Sequence, residues 1–170
     1  TLPYSLFGWG TQAAGQLGLN DVALRSQPTQ IASLTGLVFD TQSSPVQIGT
    51  SSWTSVSAGA SHCAAIRLDG ALFAWGNNLY GQIPDITVVA KSSPVAIAAG
   101  TSWLQVSSGH EFSLAIKSDY TLWSWGYNAY GQLGIGNTTN YSSPMQVGAL
   151  TSWTKLFKGY IAYFTLAISS

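Results

Sequence analysis

The sequence predicts an all-β protein, a β-propeller of four-stranded blades with about three blades in this chain. Three observations predict this fold. Trp53, Trp103 and Trp153 recur at intervals of 50 residues. Each interval contains four short segments of strand character. No segment sustains the apolar period of an amphipathic helix.

The strand segments follow one another in a fixed order within each repeat. "SPVQIG" has Pro as its second residue, which suits an edge strand, and "WTSVSAG" alternates apolar with small polar residues. "HCAAIRL" is a short apolar run, and "ALFAWG" is aromatic and rich in strand formers. The "LDG" between these two has the chemistry of a hairpin turn. The same order returns in the next repeat, so we expect one blade per repeat.

The repeats are expected at about 43–91, 92–141 and 142–170, and residues 28–44 are read as an insertion. The end "TLAISS" joined to the start "TLPYSLFGWG" mirrors "LAIKSDYTLWSWG". We therefore expect residues 1–27 to complete the blade of 142–170. Residues 1–170 form either a single propeller domain, with two chains sharing one ring, or a segment of a longer propeller. The absence of an initial Met favours the segment.

The recurrent tryptophans and glycines have a structural explanation. A four-stranded blade has two faces, and stacking the blades buries both. We expect the large rings to fill the space between blades, where full burial contributes roughly 2–3 kcal/mol each. The glycines mark close backbone approaches or left-handed turns. The positions with this role are Trp9, Trp53, Trp75, Trp103, Trp125, Trp153, Gly59, Gly109, Gly76, Gly126, Gly81 and Gly131.

The repeat resembles that of the regulator-of-chromosome-condensation family. The residues that match the family pattern in the first repeat are Val56, Gly59, His62, Ala65, Ile66, Asp69, Gly70, Leu72, Phe73, Trp75, Gly76, Asn78, Gly81 and Gln82. Those in the second are Val106, Gly109, Ala115, Ile116, Asp119, Leu122, Trp123, Trp125, Gly126, Asn128, Gly131, Gln132, Leu133 and Gly134. An N-terminal echo contributes Trp9, Gly10, Gly15, Gln16, Leu17 and Gly18. The resemblance implies a propeller and an interaction role.

The chain departs from the family pattern at several places. Phe112 stands where the first repeat has His62, and Tyr120 replaces the turn glycine. "IPDITVV" follows Gln82 in place of "LG", and the last repeat slips by two residues. The low charge and the abundance of Ser, Thr and Asn are most similar to bacterial and bacteriophage versions of the repeat.

Composition argues against several classes of function. Six basic and six acidic residues cancel, and only 7% of residues are charged. A nucleic-acid partner is not expected, because there is no basic stripe to neutralise phosphates. Membrane insertion is not expected either, since the apolar runs are short and interrupted. The single cysteine, Cys63, excludes a disulfide framework and a thiolate zinc site.

No catalytic residue, metal ligand or cofactor is predicted, and the chain is not expected to be an enzyme. We expect His62 to be hydrogen-bonded within the sheet and Cys63 to be a buried, inert thiol. Cys63, His62 and Asp69 could be imagined as a nucleophile site. However, Asp69 lies in a repeated turn whose counterpart, Asp119, has no histidine in the matching place.

The loops "GNNLYG" and "GYNAYG" are the best binding candidates, through Tyr80, Tyr127 and Tyr130. Aromatic and amide side chains on loops suit contact with protein or sugar. The alternative is that at least one tyrosine of each loop packs on its own blade.

The leading hypothesis is a non-enzymatic propeller in a virion, such as that of a bacteriophage, or in a cell-surface assembly. Its partners would be protein, another copy or neighbouring propeller segments, with glycan as a further possibility. The location expected is the virion or the extracellular surface, with the cytoplasm as the alternative. The second hypothesis is an intracellular regulator, such as a guanine-nucleotide exchange factor for a small GTPase.

Overall fold

A computed structural model describes residues 5–11, 41–98, 100–157, 163 and 166–170, and gives side chains from residue 50 onward. Every regular element in these ranges is a β-strand. The strands are β1 (Ser5–Thr11), β2 (Thr41–Ala58), β3 (His62–Arg67), β4 (Leu72–Gly76), β5 (Lys91–Ile97), β6 (Trp103–Ser108), β7 (Phe112–Lys117), β8 (Leu122–Gly126), β9 (Tyr141–Gln146), β10 (Trp153–Leu156) and β11 (Ala167–Ser169). The all-β prediction is confirmed.

Two complete blades account for most of the described chain. β6, β7, β8 and β9 form a four-stranded antiparallel sheet, and the C-terminal half of β2 with β3, β4 and β5 forms its counterpart. The 18-residue β2 also pairs with β1 through its first half, so it passes from one blade into the next. β10 and β11 form a separate two-stranded sheet. This arrangement confirms a propeller built from repeated blades.

The repeats agree in strand register as well as in sequence. The pairing of Ala74 with Val95 is followed by that of Gly76 with Lys91, which places a bulge between them. The pairs Ser124–Met145 and Gly126–Tyr141 place the same bulge in the next blade. The pairs Gly8–Val46 and Gly10–Gln42 place it in β1 and β2. β1 is therefore the third strand of a blade.

The hairpin of the last repeat is longer than the others. Trp53 pairs with Arg67 and Trp103 with Lys117, a separation of 14 residues in both (67 − 53 and 117 − 103). Trp153 pairs with Ser169, a separation of 16 (169 − 153). The two-residue slip seen in the sequence is thus taken up between β10 and β11.

The blades begin about ten residues later than the repeats drawn from the sequence, since the "SSP" segments form the last strand of a blade. The insertion predicted for 28–44 ends inside β2, and residues 12–40 lie outside the described chain. β1 is hydrogen-bonded to β2, and β11 to β10. Completion of the last blade by residues 1–27 stays a prediction.

An apolar cluster fills the space between the two complete blades. The first blade contributes Ala64, Ile66, Leu72, Ala74, Ile83 and Ile97, and the second contributes Trp103, Val106, Ala115 and Trp125. On the far face of the second blade, Phe112, Leu114, Ile116, Leu122 and Leu133 pack against Trp153, Leu156 and Ala167. Each blade therefore presents its aliphatic face to the aromatic face of the next.

The recurrent tryptophans meet in pairs. The rings of Trp103 and Trp125 lie 6.2 Å apart, and those of Trp53 and Trp75 are also 6.2 Å apart. Trp75 and Trp125 are fully buried, whereas Trp153 is half-buried. Trp9 lies in β1, where only the backbone is described.

Two glycines allow a ring to approach the backbone. A Cβ on Gly109 would lie 2.2 Å from the ring of Phe112, and one on Gly59 would lie 2.4 Å from the ring of His62. His62 and Phe112 therefore fill the same place in successive blades. The other predicted glycines have positive φ: Gly76 (106°), Gly126 (102°), Gly81 (83°) and Gly131 (74°).

Candidate binding site

Three connections bring polar and aromatic side chains to one end of the stacked blades. They are the loops after β4 and β8 and the turn between β6 and β7. In an antiparallel sheet, β6 and β8 end on the same side, where β7 begins. The connection between β10 and β11 reaches this same end and contributes Tyr163.

A buried asparagine closes each of the two loops. The Oδ1 of Asn128 accepts from the backbone N–H of Leu133 at 2.9 Å, and its Nδ2 donates to the carbonyl of Thr139 at 3.0 Å. Asn78 makes the equivalent bonds to Ile83 and Val89. Since both asparagines are fully buried, these bonds are shielded from competing water.

A glutamine four residues after each asparagine binds the backbone of a tyrosine in the same loop. The Oε1 of Gln82 accepts from the backbone N–H of Tyr80, and that of Gln132 accepts from Tyr130, each at 2.9 Å. The "WGxN" and "GQ" parts of the repeat thus hold the loop backbone, and between them Tyr80 is partly buried whereas Tyr130 is exposed. Tyr130 is 73% exposed.

The three predicted binding residues, Tyr80, Tyr127 and Tyr130, lie together in the structure. The ring centroids of Tyr80 and Tyr127 are 4.7 Å apart across the boundary between two blades. Those of Tyr127 and Tyr130 are 6.1 Å apart, and Tyr163 lies 6.3 Å beyond Tyr130. The ring contact of Tyr80 therefore reaches the next blade rather than its own. Binding by these residues stays a prediction.

These rings surround an open pocket of about 600 Å³. Its lining residues, which we call the tyrosine pocket, are Tyr80, Glu111, Tyr127, Tyr130 and Tyr163. The volume falls in the range of small-ligand sites, or of a site for one or two side chains of a partner.

Glu111 brings a carboxylate to this pocket. Its Oε2 lies 3.8 Å from Nδ1 of His110, whose ring stacks on Tyr163 at 4.7 Å. Burial raises the pKa of Tyr127, and the phenols of Tyr130 and Tyr80 and the charge of Glu111 act in the same direction. The pocket is therefore aromatic with a negative edge.

Sequence reasoning missed Glu111, His110 and Tyr163. "GHE" at 109–111 replaces "GAS" at 59–61, and Glu111 is the only glutamate in the chain. A turn between the first two strands of a blade lies at the same end as the loop after the third. The non-consensus residues in that turn were therefore a usable signal. Tyr163 had no such signal, because its connection departs from the repeat.

The other candidate chemical groups do not form a site. Burial lowers the pKa of His62 to about 4, and the nearby His110 acts in the same direction. The Nε2 of His62 lies 2.8 Å from Oγ of Ser113 in the next blade. Burial also raises the pKa of the Cys63 thiol to about 12, so the thiol stays protonated at neutral pH. Asp69 pairs with Arg67 at 2.6 Å in the β3–β4 turn.

In the described ranges, no three His, Cys, Asp or Glu side chains come together as a metal site requires. None of the described segments forms a helix that is long and apolar enough to cross a membrane.

Comparison with known protein families shows to which family this chain belongs. The family described as "Regulator of chromosome condensation (RCC1) repeat" matches residues 5–66, 69–116 and 121–167, which is most of the chain. A second RCC1 repeat family matches 53–82 and 103–132. This chain belongs to the RCC1 repeat family. Within each RCC1 repeat, the second match runs from the first tryptophan to the glutamine that fixes the loop.

Relatives of this RCC1-repeat chain are longer than the chain itself. It is 33% identical over 85 residues to the human "Probable E3 ubiquitin-protein ligase HERC4", which is 49% of this chain and 6% of that protein. The human "Probable E3 ubiquitin-protein ligase HERC6" is 32% identical over 79 residues, 46% of this chain and 6% of that protein. The chain thus spans a small part of both.

Two solved RCC1-type structures share the fold. Human WBSCR16 has a TM-score of 0.64 and 21% identity, covering 88% of this chain and 37% of its own. Prp20p from Saccharomyces cerevisiae has a TM-score of 0.67 and 18% identity, covering 92% of this chain and 38% of its own.

Proposed function

We propose that this RCC1-repeat chain is a non-enzymatic interaction module that binds a protein partner through the tyrosine pocket. One observation carries the proposal: four tyrosines from three successive repeats converge with Glu111 around an open pocket. Tyrosine gives a large contact area at a low cost in conformational entropy and is enriched in protein interfaces.

The comparisons support a protein partner. The structure of Prp20p is described with "Its Binding Properties to Gsp1p and Histones", and another solved complex is that of Kap60 bound to yeast RCC1. The two structures hold the same yeast protein, a propeller of this repeat that is described with protein partners in both, and we propose the same use of the fold for this chain.

A crosslinking experiment tests the proposal. A photoreactive phenylalanine replaces Tyr130 in the pocket or, as the matched control, Tyr120, which is half exposed in the β7–β8 turn at the opposite end. Irradiation takes place in the cells or particles that carry the chain. The expected result is one discrete crosslinked protein from position 130 that is absent from position 120. Equal crosslinking from both positions, or none from 130, would contradict the proposal.

We further propose that the module works in a virion or cell-surface assembly, with other copies or glycan as additional partners. The support is compositional, since only 7% of residues are charged. Such a surface depends on polar side chains or on packing in an assembly for its solubility. Sedimentation at high protein concentration tests this, and a monomer with no tendency to associate would contradict it.

A guanine-nucleotide exchange factor is the second candidate function. The observation that favours it is the likeness in fold to Prp20p, which is described as binding Gsp1p. An exchange factor would accelerate the release of labelled GDP from a small GTPase. No acceleration across a panel of small GTPases would remove this candidate.

A further inference from the structure

We propose that the tyrosine pocket recognises an alkylammonium group, namely a lysine side chain of the partner or its N-methylated forms. The four ring faces would surround the cation and Glu111 would supply the opposite charge. This inference rests on the proposed function and names the chemistry of the partner group at that site.

The rings are arranged as walls rather than as a stack. Tyr80 and Tyr127 are inclined by 53°, and Tyr127 and Tyr130 by 78°. Tyr130 and Tyr163 are inclined by 87°. Rings inclined at these angles do not stack face to face, and all four tyrosines line the same pocket. The face of an aromatic ring is the negative end of its quadrupole, so such a space attracts a cation.

The carboxylate of Glu111 is less fully paired than the other carboxylates that the structure describes. Asp85 pairs with Lys91 at 2.8 Å and Asp69 with Arg67 at 2.6 Å. Asp119 accepts from the hydroxyl and the backbone N–H of Thr121. Glu111 has an imidazole at 3.8 Å, which carries charge only when protonated. Among the described residues, no lysine or arginine pairs with Glu111, so a partner cation could meet its charge.

The chain already holds its own ammonium and guanidinium groups against aromatic faces. Lys117 Nζ lies 3.6 Å from the ring centre of Trp123, and the guanidinium of Arg67 lies 4.9 Å from that of Phe73. Lys155 lies 5.4 Å from the ring centre of Phe157. Among the described residues, no lysine or arginine covers a ring of the tyrosine pocket. His110 stacks on one face of Tyr163, and the remaining ring surfaces that line the pocket are the ones a cation from outside can use.

The groups that line the pocket favour a lysine side chain over a sugar as its ligand. A sugar ring needs several directed hydrogen bonds besides stacking, whereas an alkylammonium needs aromatic faces and a negative charge. The pocket supplies one carboxylate and four aromatic faces. That set fits the cation better.

The test is an NMR titration of the full chain with choline and with 3,3-dimethylbutan-1-ol, its uncharged isostere. We expect choline to shift the ring signals of Tyr127 and Tyr130, and to bind about tenfold more tightly than the alcohol. Acetyl-trimethyllysine methylamide should behave like choline. Equal binding of the two isosteres, or binding of neither at tens of millimolar, would overturn the inference. Shifts caused by maltose and not by choline would also overturn it.

Variants make the test specific to the site. Tyr130→Leu keeps an apolar side chain but removes the ring, and we expect it to weaken choline binding by about tenfold. Glu111→Gln keeps the shape and removes the charge, with a loss of about threefold expected. Tyr120→Leu, at the opposite end, should leave choline binding unchanged.

The crosslinking experiment separates a failure of this inference from a failure of the proposed function. If choline fails while crosslinking from position 130 still captures a discrete partner, the module stands and the alkylammonium chemistry is wrong. If crosslinking also fails, both are wrong.

Discussion

The indole Nε1 of Trp125 donates a hydrogen bond of 2.9 Å to the backbone carbonyl of Gln82, which belongs to the preceding blade. Both residues are buried. The most prominent residue of one repeat is thus tied to the loop-forming glutamine of the other. This bond joins the packing of the blades to the loops of the tyrosine pocket, because the side chain of the same Gln82 holds the backbone of Tyr80.

Trp125→Phe should destabilise the chain by about 2–4 kcal/mol. The change leaves a void in the buried cluster and leaves the carbonyl of Gln82 without its indole partner. Urea unfolding measures the loss. Tyr120→Phe, at a half-exposed turn, is the control and should lie within about 0.5 kcal/mol of the parent. A Trp125→Phe chain as stable as this control would contradict the packing described.

His62 should make stability depend on pH. Its pKa is lowered from 6.5 to about 4 in the fold, so the folded state favours the neutral ring. The stabilisation is complete above pH 6.5 and is lost as pH falls towards 4, a change of about 3 kcal/mol. Urea midpoints across this range measure it. In His62→Phe this dependence should disappear, because Phe112 already fills the same place in the next blade.

The control for that prediction is His110→Gln, since His110 lies nearby and contributes to the lowered pKa of His62. Its removal should leave most of the pH dependence, because burial is the larger cause. A His62→Phe chain that loses stability between pH 6.5 and 4 as the parent does would refute the assignment.

Tyr120→Gly should stabilise the chain by about 0.5–1 kcal/mol. Tyr120 has φ of 61°, in the turn where the previous repeat has Gly70 with φ of 84°. Glycine relieves the strain of that conformation. Part of this gain is lost because glycine has more conformational freedom in the unfolded chain. Thermal unfolding measures the gain. Gly70→Ala is the matched opposite, since its Cβ would lie 2.4 Å from Oγ of Ser102. Stabilisation by both changes would show that the turn is not as described.

Asn128→Ala should cost about 2–4 kcal/mol and abolish choline binding. The change leaves the buried backbone N–H of Leu133 without its acceptor and also removes the donor to the carbonyl of Thr139. The loop that carries Tyr127 and Tyr130 would then lose its closure. Asn77→Ala is the control, since Asn77 only caps the exposed N–H of Leu79. Choline titration of both variants checks the prediction, and retained binding in Asn128→Ala would contradict the role of the asparagine.

The sequence predicts the fold because the fold repeats. The spacing of Trp53, Trp103 and Trp153 reflects a physical need, since a blade buries its faces only against a like neighbour. The repeated loops also directed attention to Tyr80, Tyr127 and Tyr130, because aromatic and amide side chains on loops suit contact with protein or sugar.

What the sequence did not predict lies where the repeat breaks. Glu111 and Tyr163 complete the tyrosine pocket, but neither belongs to the repeat pattern. Their position depends on which connections share an end of the propeller, a property of topology rather than of spacing. The described blades begin at a different strand from the predicted repeats, because a repeating pattern has no intrinsic starting point, and the predicted bounds stay a prediction.

The most direct measurement is an NOE spectrum of the chain with and without choline. The rings of Tyr80 and Tyr127 belong to different blades and lie 4.7 Å apart, so their protons should show cross-peaks in the free chain. Added choline should give NOEs from its methyl groups to Tyr127 and Tyr130. Absence of contact between the rings of Tyr80 and Tyr127 would contradict the convergence of loops from successive blades on which the account depends.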